Sequence, residues 1–508
     1  MRLMRWRTAR TSWQINSRVM IAETDIRTKS IRGLNVSFIF MGLTSLIILL
    51  RKVVLARLLL PSDFGLFAFT ILVVVFVNNL ASLRMQDVIV QTRTDPKRML
   101  NTAFSCQLAV SIPMFIIVLA FAGFISRGLH KPEMATYLRV ASLFVLTVPF
   151  ALPRALFLKT IDIFKVKLPI ALGLAGNTVI CIVMAVRGFG VWSLITGYVL
   201  DSVINVIIIW SYSPHKPRLE FDRKIFKEIL RFSLPLYFLT LLIWIFWQGD
   251  DFIVGLVGDR TLFLAGNAAL GFYSLAFYFP HQLMRIRSEM AGVSFPAFSA
   301  IRNDIRRVNS AYSTITRNSA IFMLSFGAVL IPLARPTILY LLGEKWLPSV
   351  NAFRIFMIAA MVRAIFANWG EVYKSLGKTR ALLWAYIPSP VLLLLLGPYV
   401  TLKFGILGMS LLIMGIILAM QPLVIYLTKR VLVEVSFTKL LWKPLVVFAI
   451  VLSATSGVCR FVSNIRTFLA SAVALFLCYY LLMAIFDRQF RLTALDYLRV
   501  SFTKGVDP

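Results

Sequence analysis

A chain of 508 residues that is 59% hydrophobic and 15% charged, with a mean hydropathy of +0.81, carries more apolar surface than a soluble domain can bury. It reads as an all-α polytopic membrane protein. Its net charge of +32 would suggest a nucleic-acid partner in a soluble protein. Here the basic residues fall in short loops between apolar runs, so the charge reports topology and nucleic acid is excluded.

In chain order, residues 1–33 form a basic tail with eight Lys/Arg and no apolar core of a cleavable signal. Met20 is a candidate start, because MIAETDIRTKS reads as an ordinary amphiphilic lead-in. Runs of about 20 apolar residues, the length that crosses a bilayer, then predict about 14 transmembrane helices. They fall near 34–59, 64–83, 103–125, 137–157, 168–187, 189–210, 229–257, 262–284, 318–342, 350–373, 381–400, 405–427, 441–462 and 467–486. The fifth and sixth are joined by RGFG, a tight turn. Of the Lys/Arg, 38 fall on the side of the N-tail and 12 on the other, which places both termini in the cytoplasm. The basic loops are also expected to touch anionic lipid headgroups.

The longest loop, near 285–317, is too short for a nucleotide-binding or catalytic domain, and the chain has no Walker A, GxGxxG or GxSxG motif. An ATP-driven pump and a glycosyltransferase with a soluble catalytic domain are thereby disfavoured, and no enzyme activity or cofactor is expected. Cys106, Cys181, Cys459 and Cys478 each sit in an apolar run without a CxxC, and His130, His215 and His281 do not cluster, so no metal site is indicated.

Two stretches resemble each other. Arg51 to Phe69, RKVVLARLLLPSDFGLFAF, and Asp250 to Ala276, DDFIVGLVGDRTLFLAGNAALGFYSLA, each have a charged pair, an apolar turn and a half, a polar loop, and a glycine opening the next helix (Gly65, Gly271). The match suggests two pseudo-symmetric six-helix lobes plus two C-terminal helices, an architecture common among transporters. The expected organisation is an N-lobe at 34–215, a C-lobe at 216–430, two extra spans at 431–486 and a tail at 487–508. Arg51–Lys52 then corresponds to Asp250–Asp251, basic against acidic.

Several segments resemble signatures of the polysaccharide transporter family, in the expected order: VVLARLLLPSDFGLFAF, GFGVWSLITGY, DDFIVGLVG with LGFYSLAFYF, SFPAFSAIRND, LLGEKWLPSV, SLGKTR and FGILGMSL. The chain resembles a Wzx-type flippase of the exopolysaccharide/O-antigen branch, within the multidrug/oligosaccharidyl-lipid/polysaccharide exporter superfamily. It departs from that pattern at Leu60, where glycine is expected, and at SLRMQDVIVQ, with Arg84 and Asp87, where the second span is expected to end glycine-rich.

The resemblance implies a cavity between two lobes in a bacterial inner-membrane protein. Its cargo would be an oligosaccharide repeat unit on undecaprenyl diphosphate, moved to the periplasmic leaflet by alternating access. A proton or sodium gradient would drive it, with a polymerase and chain-length or export proteins as partners. A drug/cation antiporter of the same superfamily, a lipid II flippase and a membrane-embedded transferase or polymerase remain alternatives. The last of these would show a long outward loop.

A charge at mid-bilayer costs about 2.5–3.5 kcal/mol on insertion scales, so intramembrane charges mark candidate sites. Arginine binds phosphate oxygens through planar paired donors and stays charged when dry. Arg51 and Arg57 look like counterparts of the first-helix arginines that line the cavity of lipid II flippases; the alternative is that they snorkel to headgroups. Lys52 either snorkels or pairs with an acid. Asp250 and Asp251 are read as ion-coupling groups or as static partners of Arg51 or Lys52 at a gate. Arg363 and Glu371, eight residues apart with Trp369 between them, contact sugar or form a buried charge network. Arg285 and Arg287 receive the diphosphate on entry or anchor the cytoplasmic face. Trp244 and Trp247 are candidates for stacking on sugars, and the role of Asp201 stays open.

Overall fold

A computed structural model describes residues 36–91, 95–160, 162–257, 267–292, 298, 301, 303–376 and 379–492. The expected basic tail, Met20 included, lies outside them. Among the described residues every regular element is helical. Among the described residues ten helices are long and apolar enough to cross a membrane, or eleven if Ile305–Leu330 and Ala334–Leu342, bent by 81°, form one span. One of the ten, Trp384–Val431, covers two of the fourteen expected spans.

The chain packs as two compact units, Met1–Lys52 with Val73–Leu241, and Val53–Leu72 with Leu242–Pro508. The division differs from the expected lobes at 34–215 and 216–430 in three ways. It falls inside one 35-residue helix, Arg223–Val257, and not in the loop before that helix where the lobes were expected to part. The stretch 53–72 belongs with the second unit. The spans of 431–486 and the described part of the tail also belong there.

In the first unit, α1 (Val36–Leu58) contributes residues up to Lys52 and α2 (Pro61–Ser82) those from Val73. They are followed by α3 (Met85–Gln91), α4 (Pro96–Gly128), α5 (Met134–Ala141), α6 (Leu143–Thr147), α7 (Arg154–Lys159), α8 (Ile163–Val186), α9 (Val191–Tyr212) and the start of α10 (Arg223–Val257). Polar residues set the boundaries. Asp95 accepts from the Lys97 N–H at 3.1 Å with Pro96 opening α4, and Asp162 accepts from the Lys165 N–H at 3.3 Å. The expected RGFG turn separates α8 from α9, with Gly188 at φ 83° and Gly190 at φ 52°. Met85, Ile89, Met99, Phe104, Leu152 and Ile229 fill the core joining α3, α4 and the start of α10. Ile116, Phe124, Val179 and Ile207 are exposed, as lipid-facing residues must be.

The second unit holds α11 (Ala268–Gly292), α12 (Ile305–Leu330), α13 (Ala334–Thr337, continuing to Leu342), α14 (Val350–Phe366), α15 (Trp369–Ser375), α16 (Thr379–Tyr386), α17 (Pro388–Val431), α18 (Phe437–Val458) and α19 (Ile465–Phe486). Asp304 caps α12 on the Arg306 and Arg307 N–H groups, and an Asn464–Thr467 capping box opens α19. α17 covers two of the expected spans and breaks at Gly405, φ 60°, a conformation that favours glycine. Phe298, Val308, Tyr312, Trp369, Tyr373 and Phe437 form a buried core.

The end of α1 and the start of α2 are locked into this second unit. The Trp346 indole donates to the Ala56 carbonyl at 2.8 Å and packs edge-on against Phe64 and Phe272, 5.2 and 5.9 Å between ring centres. Lys345 donates to the Arg57 and Leu59 carbonyls at 3.0 and 2.6 Å. These satisfy orphan carbonyls at the C-terminus of α1. Trp346→Phe keeps the ring packing and strands the buried Ala56 carbonyl. A buried unpaired acceptor costs about 1–3 kcal/mol, so a lower melting temperature of the purified protein is expected.

Candidate functional site

In the first unit the charged pair of α1 meets α8 and α9. Asp201 on α9 is hydrogen-bonded by the Asn177 side chain and lies in the field of two cations, Arg51 and Arg154. Lys52 sits beside Arg51 and Cys181. Cys181 donates to Asn177 Oδ1 at 3.0 Å and to the Ser193 carbonyl at 3.1 Å. Small residues permit this closeness: a Cβ on Gly173 would strike Asp201, and one on Gly197 would strike Cys181 and Asn177. Within this unit, Asp201 is the acid that answers Arg51.

Arg154, opening α7, donates to Asn205 Oδ1 at 2.5 Å. It lines a cavity of about 370 Å³ together with Asn78, Gln107, Tyr198, Asp201 and Ser202. Sequence reasoning passed over Arg154 because it stands at the end of an apolar run and counts as a loop charge. The Pro153–Arg154 break in an otherwise apolar stretch was the available signal.

In the second unit, Asp250 on α10 is buried and accepts from the Tyr273 hydroxyl at 2.7 Å. Arg363 on α14 lies in its field and stacks its guanidinium on Trp247, 3.7 Å from the ring centre. Trp247, Asp250 and Arg363 line a small void of about 30 Å³ with Phe277, Ser389 and Leu393. The buried Asp251 Oδ1 has no hydrogen-bond partner among the described residues. Trp247 also packs edge-on to His281, with 6.2 Å between ring centres, and Arg285 and Arg363 both act on that histidine.

Of the expected site residues, the structure therefore brings together Asp250, Arg363 and Trp247, with Arg285 within electrostatic range of His281 beside them. The Arg287 side chain lies outside the described residues. Arg57 belongs to a different setting. Its guanidinium donates to the Leu341 carbonyl at 3.0 Å and to the Tyr340 carbonyl, at the end of the run that continues α13. Helix C-terminal carbonyls leave unpaired acceptors and a negative potential that a cation satisfies. Arg354 serves the bend before α13 similarly, donating to the Ile331 carbonyl at 3.3 Å.

Arg363 and Glu371 fall on successive helices, α14 and α15, separated by Ala367–Asn368. Glu371 pairs instead with Lys374 at 3.1 Å. Trp369 is buried and stacks on Tyr386, 5.8 Å between ring centres.

Among solved structures, the chain resembles the lipid II flippase MurJ in its inward closed conformation, with a TM-score of 0.73 and 16% identity over 90% of this chain and 99% of that one. An inward-facing multidrug resistance MATE family transporter of the MOP superfamily matches at a TM-score of 0.56 and 17% identity, over 76% of this chain and 96% of that one. The fold is thus that of the MurJ and MATE transporters. Residues 54–351 match the family described as "Polysaccharide biosynthesis protein", and the chain belongs to that family, as the polysaccharide transporter motifs led one to expect. Two relatives are each 24% identical: the succinoglycan biosynthesis transport protein ExoT of Rhizobium meliloti (strain 1021), over 65% of this chain, and the lipopolysaccharide biosynthesis protein WzxC of Escherichia coli (strain K12), over 67%. The match spans 66% of the length of ExoT and 68% of that of WzxC.

Proposed function

We propose that this multi-pass membrane protein is a flippase for oligosaccharide repeat units carried on undecaprenyl diphosphate. It moves them across the bacterial inner membrane by alternating access, with both termini in the cytoplasm. It supplies exopolysaccharide or lipopolysaccharide synthesis and works alongside a polymerase and chain-length or export proteins. The names of ExoT and WzxC and the fold shared with a lipid II flippase support this reading. The observation that carries it is the placing of permanent cations, Arg51 beside Asp201 and Arg363 beside Asp250, on apolar helices. Membrane helices bear charge where a polar or charged cargo passes, and a lipid diphosphate is such a cargo. The buried Asp250, with Asp251 next to it, supplies the carboxylates for a coupling proton or sodium ion.

Deleting the gene tests this. Diphosphate-linked repeat units trapped on the cytoplasmic leaflet, with secreted polymer lost, are the expected result. Normal polymer with no trapped intermediate, in a strain lacking a paralogue, would transfer the assignment to an antiporter.

A further inference from the structure

The cavity beside Arg154 has a mixed charged, polar and aromatic lining. Arg84 at its edge is bound to Asp87 at 2.8 Å, and Arg154 is answered by Asp201. Beside these charges the walls carry uncharged donors and acceptors, Asn78, Tyr198, Ser202 and Asn205. Three buried polar atoms on its walls have no hydrogen-bond partner among the described residues: Asn78 Oδ1, Gln107 Oε1 and Arg154 Nε. One wall is aromatic, Phe144 against Tyr198 at 4.9 Å between ring centres. The mouth is formed by the SLRMQD stretch where the chain departs from its family. Leu83 and Arg84 both take left-handed backbone, φ 42° and 54°, which residues with a Cβ rarely adopt. That turn carries Arg84 and Asp87 to the rim.

We infer that this cavity is a subsite for uncharged sugar, taking one or two hexose rings of the carried oligosaccharide on Asn78, Asn205, Arg154 and the Phe144–Tyr198 wall. Vicinal hydroxyls both donate and accept, which suits a mixed set of donors and acceptors. The apolar faces of a pyranose lie against aromatic rings. The volume, about 370 Å³, is at the small end of the roughly 300–1,000 Å³ of ligand pockets, so it accommodates part of a repeat unit and excludes the whole. The inference rests on the flippase reading and assigns one portion of its cargo to the first unit alone.

The test uses the full chain in detergent with Ser202→Cys, a near-isosteric change on the cavity wall, labelled by a maleimide. The probes are the host's single repeat unit released from its lipid diphosphate, and inorganic pyrophosphate. The oligosaccharide is expected to slow labelling of the introduced thiol about tenfold when present at about ten times its Kd, while pyrophosphate leaves the rate unchanged. Asn78→Ala should remove the protection with the probe-free labelling rate intact. Equal protection by pyrophosphate would make this an anion site. Absence of protection by either probe would mean a water-filled void. Both results overturn the inference. The leaflet assay reads the flippase assignment separately: trapped intermediates in the deletion strain together with an unprotected thiol would remove the subsite and leave the function standing.

Discussion

Gly271→Val is expected to abolish recovery of folded protein. Gly65 at the start of α2 and Gly271 at the start of α11 face each other backbone to backbone. A Cβ on Gly271 would collide with the Pro61 carbonyl oxygen and lie 3.2 Å from the Gly65 nitrogen. One on Gly65 would collide with the Asn267 carbonyl oxygen and lie 3.2 Å from the Gly271 nitrogen. Overpacking usually costs about 1–3 kcal/mol because side chains can turn away. Here the obstacles are main-chain atoms, so relief requires the two helix starts to separate. That separation would strain the neighbouring Phe64–Trp346 packing and the Trp346 bond to the Ala56 carbonyl. Fluorescence-detected size exclusion of a tagged chain gives the readout. Gly415→Ala is the control, since nothing lies within 4 Å of its added Cβ and alanine is favoured over glycine in a helix by about 1 kcal/mol. A monodisperse Gly271→Val peak melting like wild type would show that the close approach is dispensable.

Arg363→Ala is expected to remove polymer export and to destabilise the second unit. The substitution leaves Asp250 buried with Tyr273 as its neutral donor and no guanidinium opposite. The guanidinium favours the buried carboxylate, so its loss is expected to lower the melting temperature of the purified protein. Arg363→Lys should fail in export as well, because an ammonium cannot reproduce the planar stack on Trp247. Pairing Arg363→Ala with Asp250→Asn removes the uncompensated charge. The double variant should regain much of the lost melting temperature without regaining export. A double variant as unstable as the single would mean that Arg363 acts through its stack on Trp247 and not through Asp250.

The difference between what was legible and what was not has a physical basis. The helical character, the RGFG turn and the glycines at 65 and 271 were readable because apolar run length and glycine leave marks in sequence. That the two glycines touch each other was not, since repeat logic relates them only by symmetry. Asp250 and Arg363 stood out as charges in apolar runs, and the structure sets them together. Arg57 stood out equally, yet its partners are the carbonyls of residues 340 and 341. A backbone acceptor is common to all residues, so no residue type announces it. Arg363 and Glu371 stood out as charges eight residues apart, and Ala367–Asn368 is too ordinary a pair to signal the boundary between their two helices. Arg154 was hidden by its position at the end of an apolar run, and the role of Asp201 stayed open because no cation lies near it in sequence.

The membership of residues 53–72 in the second unit has a practical consequence for exchanging parts between relatives. A chimaera joined near residue 241 would separate Trp346 from its own Ala56 and Gly271 from its own Gly65. Each contact would then join segments of different ancestry. An exchange that carries the second unit whole must transplant two segments, 53–72 together with everything from 242 onward. Its first junction falls immediately after Arg51–Lys52, so these cations stay with the donor of Asp201. The first unit is in that way exchanged whole without disturbing the glycine crossing.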